Sequence, residues 1–176
     1  AFAALDANGQ AALRRDLLWA HAEADRFEPR GRYPREANAY VRAWYAPMAA
    51  EELLSFRSLV EQVGAADVLR VVLARAARSA RRTTHFDLDF PREPQTGEYW
   101  CHKHKRVCRP VETARQFLLR YTLDTLDRIE TFAVARRPSR IARVLHGDAR
   151  EIDREGPYAG VVTSPPYPGL IDYHEQ

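Results

Sequence analysis

Apolar residues recur every three to four positions in four stretches of the first 138 residues. The stretches are Leu5 to Phe27, a segment opened by Pro47 and closed by Gly64, Val68 to Arg82, and Val111 to Val134. This spacing places apolar side chains on one face of an α-helix, and a proline suits the first helical turn. The pattern predicts four amphipathic helices, with the segment from His85 to Trp100 as a loop.

The pattern changes after Pro138. Two short apolar runs rich in β-branched residues, Ile141 to Leu145 and Tyr158 to Val162, each end in a polar turn that contains glycine or proline. Such runs are typical of buried parallel strands whose C-terminal ends carry a site. We therefore predict an α/β protein, with a mostly helical region over residues 1–138 and part of a parallel sheet over residues 139–176.

Composition narrows the class of protein. The chain is 45% hydrophobic and 29% charged, which excludes a disordered or collagen-like protein. It contains no apolar run of the roughly 20 residues that a membrane span needs. Two cysteines cannot build a disulfide framework, so we expect a cytoplasmic protein with no membrane partner.

The net charge of +3 conceals an uneven distribution. Residues 70–143 hold 17 Lys or Arg against 8 Asp or Glu, whereas the remainder is acidic. A basic segment favours a polyanionic partner, because each cation placed near a phosphate releases condensed counterions. Arg75, Arg78 and Arg82 share one face of the third predicted helix, where either phosphate contact or simple solvation would suit them.

The most informative motif is Thr163-Ser164-Pro165-Pro166-Tyr167, which follows the second apolar run. It resembles the signature of the DNA amino-methyltransferases, which transfer a methyl group from S-adenosylmethionine to N4 of cytosine or N6 of adenine. The resemblance implies a Rossmann-like methyltransferase sheet and a catalytic site at Ser164, Pro165, Pro166 and Tyr167. The family's signature begins at the position of Ser164, and serine at that position favours N4 of cytosine by family tendency.

The chemistry of the motif can be stated independently of the family. An exocyclic amine is a poor nucleophile because its lone pair is delocalised into the ring. Acceptors aimed at its N–H groups, such as Ser164 Oγ and the Pro165 carbonyl, would favour a pyramidal nitrogen. The Tyr167 ring could stack on a base flipped out of the duplex.

His146-Gly147-Asp148-Ala149 ends the first apolar run. By resemblance, Asp148 and Ala149 would bind the adenine end of S-adenosylmethionine, although a simple turn that starts a helix is the alternative. The family's Gly-x-Gly loop for the methionine portion is missing from the eight glycines. We therefore expect that loop to lie before Ala1 or after Gln176, and this chain alone to bind the cofactor poorly.

The segment from Cys101 to Cys108 is both basic and rich in metal-ligand types. Lys103, Lys105, Arg106 and Arg109 make it the densest positive cluster, and we assign these four residues to DNA contact. Cys101, His104 and Cys108 have a spacing that zinc accepts. The fourth ligand would be His102 or a residue distant in the sequence, so zinc remains an open alternative and no metal is assigned.

Together these features predict a fragment of a DNA amino-methyltransferase that acts on double-stranded DNA, with a restriction enzyme as a further expected partner. In this prediction, residues 1–138 form a helical accessory region that contacts DNA, and residues 139–176 form part of the catalytic region. The alternative is a helical nucleic-acid-binding or specificity module without catalysis of its own.

Overall fold

The computed structural model describes residues 7–85, 91, 93–135, 147, 148, 159, 160 and 162. The chain divides into two units, Ala1–Ile141 and Ala142–Gln176. Nearly all described residues belong to the first unit. The predicted strands of the Rossmann-like sheet lie almost entirely outside the described residues.

The described part of the first unit contains five helices and one β-hairpin. The elements are α1 (Ala7–Arg26), α2 (Ala39–Trp44), α3 (Pro47–Val60), α4 (Ala66–Ala80), β1 (Tyr99–Cys101), β2 (Arg106–Cys108) and α5 (Arg115–Ala135). All four helices expected from the apolar periodicity are present. The prediction that α3 closes at Gly64 is wrong, because the helix ends at Val60 and a turn follows it.

Local chemistry explains several helix boundaries. Asn38 caps α2, since its side chain accepts a hydrogen bond of 2.9 Å from the Val41 N–H. Pro47 occupies the first turn of α3, where its missing N–H leaves no helical bond unmade. At the start of α4, the carboxylate of Asp16 in α1 accepts a hydrogen bond of 3.1 Å from the Ala65 N–H. These polar contacts fix where each helix enters the bundle.

The core lies where α1, α3, α4 and α5 pack together. Its largest fully buried side chains come from all four helices and include Leu17, Phe56, Leu69 and Leu118. Buried alanines occur throughout the same cluster, which lets the helix backbones approach closely. The periodic apolar faces seen in the sequence therefore meet in a single core.

The hairpin is the one sheet within the described part of the chain. Its strands pair antiparallel in the register Tyr99 with Cys108, Trp100 with Val107 and Cys101 with Arg106. The predicted loop from His85 to Trp100 thus runs into a strand at Tyr99. The α/β prediction is corrected for the described residues, which form a helical bundle with one hairpin and no parallel sheet.

Candidate functional site

The predicted catalytic residues Ser164, Pro165, Pro166 and Tyr167 lie outside the described residues, as does Ala149. Asp148 is described and exposed to solvent. Within the described residues, the candidate site is the basic surface of the helical unit.

A groove of about 550 Å³ opens between the end of α4, the segment that follows it, the hairpin turn and the first half of α5. Five cationic side chains from these separate segments line it: Arg75, Arg78, Arg81, Lys103 and Arg120. None of the described lining residues is Asp or Glu. Cations collected in a concave surface focus a positive potential there, which suits an anionic ligand.

One wall of the groove is fixed by interhelical contacts. Arg75 in α4 pairs with Asp124 in α5 at 2.7 Å, donates to Thr125 Oγ1 at 3.1 Å, and lies 4.3 Å from the centre of the Tyr121 ring. The guanidinium groups of Arg75 and Arg128 hydrogen-bond to the Asp124 carboxyl and lower its pKa. Arg75 is therefore mainly a structural link between the two helices.

Tyr121 faces the groove beside this link. Its hydroxyl lies 2.8 Å from Ser79 Oγ and receives a hydrogen bond of 2.9 Å from Arg120. These bonds lower the pKa of Tyr121, with Ser79 as the largest cause. The Arg120 guanidinium also lies 4.7 Å from the centre of the same ring. The groove thus presents a positioned arginine next to an aromatic face.

Of the four residues assigned to DNA contact, one lines the groove. Lys103 lies on the hairpin turn and faces it, whereas Lys105 and Arg106 are exposed farther along the hairpin. Lys105 adopts a left-handed backbone with φ of 52°, which closes the four-residue turn. Arg109 pairs with Glu98 at 2.8 Å on the exposed surface. The structure does not gather all four residues into one site.

The sequence alone does not indicate that Arg81 and Arg120 line the groove. Their signal was weak because each belongs to a different helix or loop, and only packing brings them to the same groove. Of the predicted arginine stripe, Arg78 lines the groove together with Arg75, while Arg82 is not among its lining residues.

A second cluster adjoins the groove at His85, which contributes to both. His85, Cys101, His104 and Cys108 place one potential ligand atom each within 4.8 Å of one another. His104 Nδ1 lies 3.4 Å from Cys108 Sγ, and His85 Nδ1 lies 3.6 Å from Cys101 Sγ. The backbone N–H of His104 points at Cys101 Sγ from 3.4 Å. Both sulfurs are buried, and both cysteines are free thiols.

The hairpin geometry explains why both cysteines face the same way. Tyr99 and Cys101 are two residues apart in β1 and therefore lie on the same face of the hairpin. Cys108 is directly opposite Tyr99, and directly paired residues share a face. His104 comes from the turn, while His85 arrives from the end of the segment after α4. The Tyr99 hydroxyl holds His85 in place, since it lies 2.9 Å from Nδ1 and accepts the His85 backbone N–H at 3.1 Å.

The surroundings of His85 favour its neutral form. Burial lowers its pKa, and the positive charges of His104, Lys103 and Arg106 lower it further. A neutral imidazole has a nitrogen lone pair available, as a metal ligand requires.

Comparison with known proteins gives one informative match. The chain is 37% identical over 155 residues to Type II methyltransferase M.MjaII of Methanocaldococcus jannaschii. The chain is related to a Type II methyltransferase. The match covers 78% of this chain, and it spans 29% of the length of M.MjaII. No protein-family model and no solved structure matches the chain.

The match to M.MjaII includes much of the helical unit. The similarity covers 78% of the chain, whereas residues 139–176 make up less than a quarter of it. Most of the aligned residues therefore belong to the helical region. The relationship to a methyltransferase therefore extends well beyond the segment that carries the Ser164-Pro165-Pro166-Tyr167 motif. In the described part of the chain, no helix is long and apolar enough to span a membrane.

Proposed function

We propose that this chain takes part in methyl transfer from S-adenosylmethionine to an exocyclic base amine of DNA, with N4 of cytosine as the favoured target. The observation that carries the proposal is the Ser164-Pro165-Pro166-Tyr167 motif in a chain related to a Type II methyltransferase. S-adenosylmethionine supplies an electrophilic methyl group on a sulfonium. The residues of this chain act on the amine that receives it.

In this proposal, Ser164 Oγ and the Pro165 carbonyl accept hydrogen bonds from the two amine N–H groups. Both acceptors draw the nitrogen toward a pyramidal geometry, which localises its lone pair for attack. Tyr167 stacks on the extruded base and holds it in the site. In this proposal Asp148, which is exposed to solvent, and Ala149 bind the adenine end of the cofactor.

The helical unit supplies DNA contact. Five cations line its groove, and Lys103, Lys105 and Arg106 extend the positive surface along the hairpin. Phosphate contacts of this kind position a protein on DNA without reading its sequence. The same groove would serve a non-catalytic specificity module, so the product of the reaction is the measurement that separates the two functions.

The test is mass spectrometry of nucleosides from DNA incubated with the complete gene product and S-adenosylmethionine. We expect N4-methylcytosine. Ser164→Ala should reduce the initial rate of N4-methylcytosine formation by about 100-fold, which is the size of the effect seen when one transition-state hydrogen bond is removed. Tyr167→Ala should also lose activity, whereas Tyr167→Phe, which keeps the stacking ring, should retain most of it.

The controls define failure. Phe132→Ala removes an exposed aromatic side chain of α5 and should leave the yield unchanged. A methylated product that persists in both Ser164→Ala and Tyr167→Ala would show that the motif is not the catalytic site. Absence of any methylated nucleoside would favour the non-catalytic module.

A further inference from the structure

The Cys/His cluster consists of His85, Cys101, His104 and Cys108, which come from the hairpin and from the segment that follows α4. Cys101 and Cys108 come from the two strands, His104 comes from their turn, and His85 lies 16 residues before Cys101. All four potential ligand atoms lie within 4.8 Å of one another. Within the described residues, this is the one such group of ligand types.

Two of the separations between these atoms match a tetrahedral metal geometry. A tetrahedral ion with bonds of about 2.3 Å to sulfur and about 2.0 Å to nitrogen separates its sulfur and nitrogen ligands by roughly 3.5 Å. The corresponding separations are 3.4 Å between His104 Nδ1 and Cys108 Sγ and 3.6 Å between His85 Nδ1 and Cys101 Sγ. A metal ion bound at His85 Nδ1 would replace the Tyr99 hydroxyl, which lies 2.9 Å from that nitrogen. We propose that His85, Cys101, His104 and Cys108 bind a structural zinc ion.

The donor set selects the metal. Two thiolates with two imidazoles in a tetrahedron are typical of Zn²⁺, whereas Ca²⁺ and Mg²⁺ require oxygen ligands. Four protein ligands fill the coordination sphere and leave no position for water or substrate. The site therefore has a structural role rather than a catalytic one.

The hairpin needs such a site because it has almost no core of its own. Each strand is three residues long, and Trp100 and Val107 on the opposite face are 56% and 55% exposed. The buried residues of the hairpin are the two cysteines. An isolated two-stranded hairpin is marginally stable at best, and metal binding supplies the missing folding energy.

Zinc would also position the groove. His85 and Lys103 both line it, and each lies within the cluster or next to one of its ligands. Coordination would join the end of the segment after α4 to the hairpin turn. Lys103, which the sequence assigns to DNA contact, would thereby be held beside the arginines of α4.

The first experiment measures metal on the full chain, purified without chelators and reconstituted with zinc under reducing conditions. Inductively coupled plasma mass spectrometry should find one zinc ion per chain. Replacement by Co²⁺ should give the intense visible absorption of a tetrahedral ion together with a thiolate-to-cobalt band in the near ultraviolet. An octahedral, weakly absorbing cobalt spectrum, or substoichiometric zinc after reconstitution, would overturn the proposal in favour of thiol–imidazole hydrogen bonds alone.

Variants then assign the ligands. His85→Ala and Cys108→Ser should each weaken zinc affinity by at least about tenfold in competition with a chromophoric chelator. The matched control is His102→Ala, which removes an exposed histidine of the same turn that is not part of the cluster. Equal loss in His102→Ala and His85→Ala would refute the assignment. The cobalt spectrum of the unmodified chain keeps the proposal testable if a variant fails to fold.

Discussion

At the scale of single residues, Glu52 is the one charged residue among the buried side chains in the described part of the chain. Its side chain is 4% exposed, yet it carries a carboxylate. The carboxylate accepts hydrogen bonds from the Ala114 and Arg115 backbone N–H groups, the second at 2.9 Å. These two N–H groups at the start of α5 have no acceptor within the helix itself, and the helix dipole favours a negative charge there. A residue of α3 therefore caps a helix more than 60 positions later in the chain.

Replacing Glu52 with Gln should lower the free energy of unfolding by about 1–2 kcal/mol, because the amide oxygen can still accept both hydrogen bonds but lacks the negative charge that strengthens them at a helix start. Urea denaturation followed by circular dichroism measures the change. Glu112→Gln is the control, since Glu112 is exposed just before α5 and its change should stay within about 0.5 kcal/mol. Equal effects of the two substitutions would mean that the cap contributes nothing to stability.

At the scale of elements, the sequence predicted the four long helices but neither the six-residue α2 nor the hairpin. The periodic apolar faces of α1, α3, α4 and α5 persist over many residues, so their pattern exceeds chance variation. Strands of three residues carry no detectable alternation. The Cys/His cluster was only partly visible, because Cys101, His104 and Cys108 are close in sequence, whereas His85 reaches them through the fold. No local pattern could identify that fourth group.

The contact between α4 and α5 should depend on pH. The pKa of Asp124 is lowered in the folded protein by its bonds to Arg75 and Arg128, so its contribution to stability is present above the unfolded pKa of about 3.8 and is lost as pH falls through the lower folded value. Thermal unfolding between pH 7 and pH 2.5 should show a smaller decrease in Tm for Asp124→Asn than for the unmodified chain. Asp127→Asn, an exposed substitution on the same helix, should follow the unmodified profile. Superimposable profiles for all three proteins would contradict this role for Asp124.

At the scale of the whole molecule, the helical unit is more than an appendage to the predicted catalytic motif. Its share of the similarity to M.MjaII means that the relative contains a corresponding region. The groove on this unit collects cations from α4, the segment after it, the hairpin and α5. Such a collection is a property of the folded unit and not of any single basic run, which explains why the total charge of +3 understates its electrostatic character.

DNA binding provides the measurement at this scale. Each phosphate neutralised by a protein cation contributes about 0.9 to the slope of log affinity against log salt, because counterions are released. If Lys103 and Arg120 each contact one phosphate, the double variant Lys103→Gln/Arg120→Gln should reduce that slope by about 2 in fluorescence anisotropy with a short duplex. Arg57→Gln removes an exposed cation from α3, outside the groove, and should leave the slope unchanged. The slope distinguishes this mechanism from misfolding, since a partly unfolded protein loses active concentration without altering the salt dependence of the remainder. A double variant with the slope of the unmodified chain would therefore place the DNA contact on another face, even if its apparent affinity were lower.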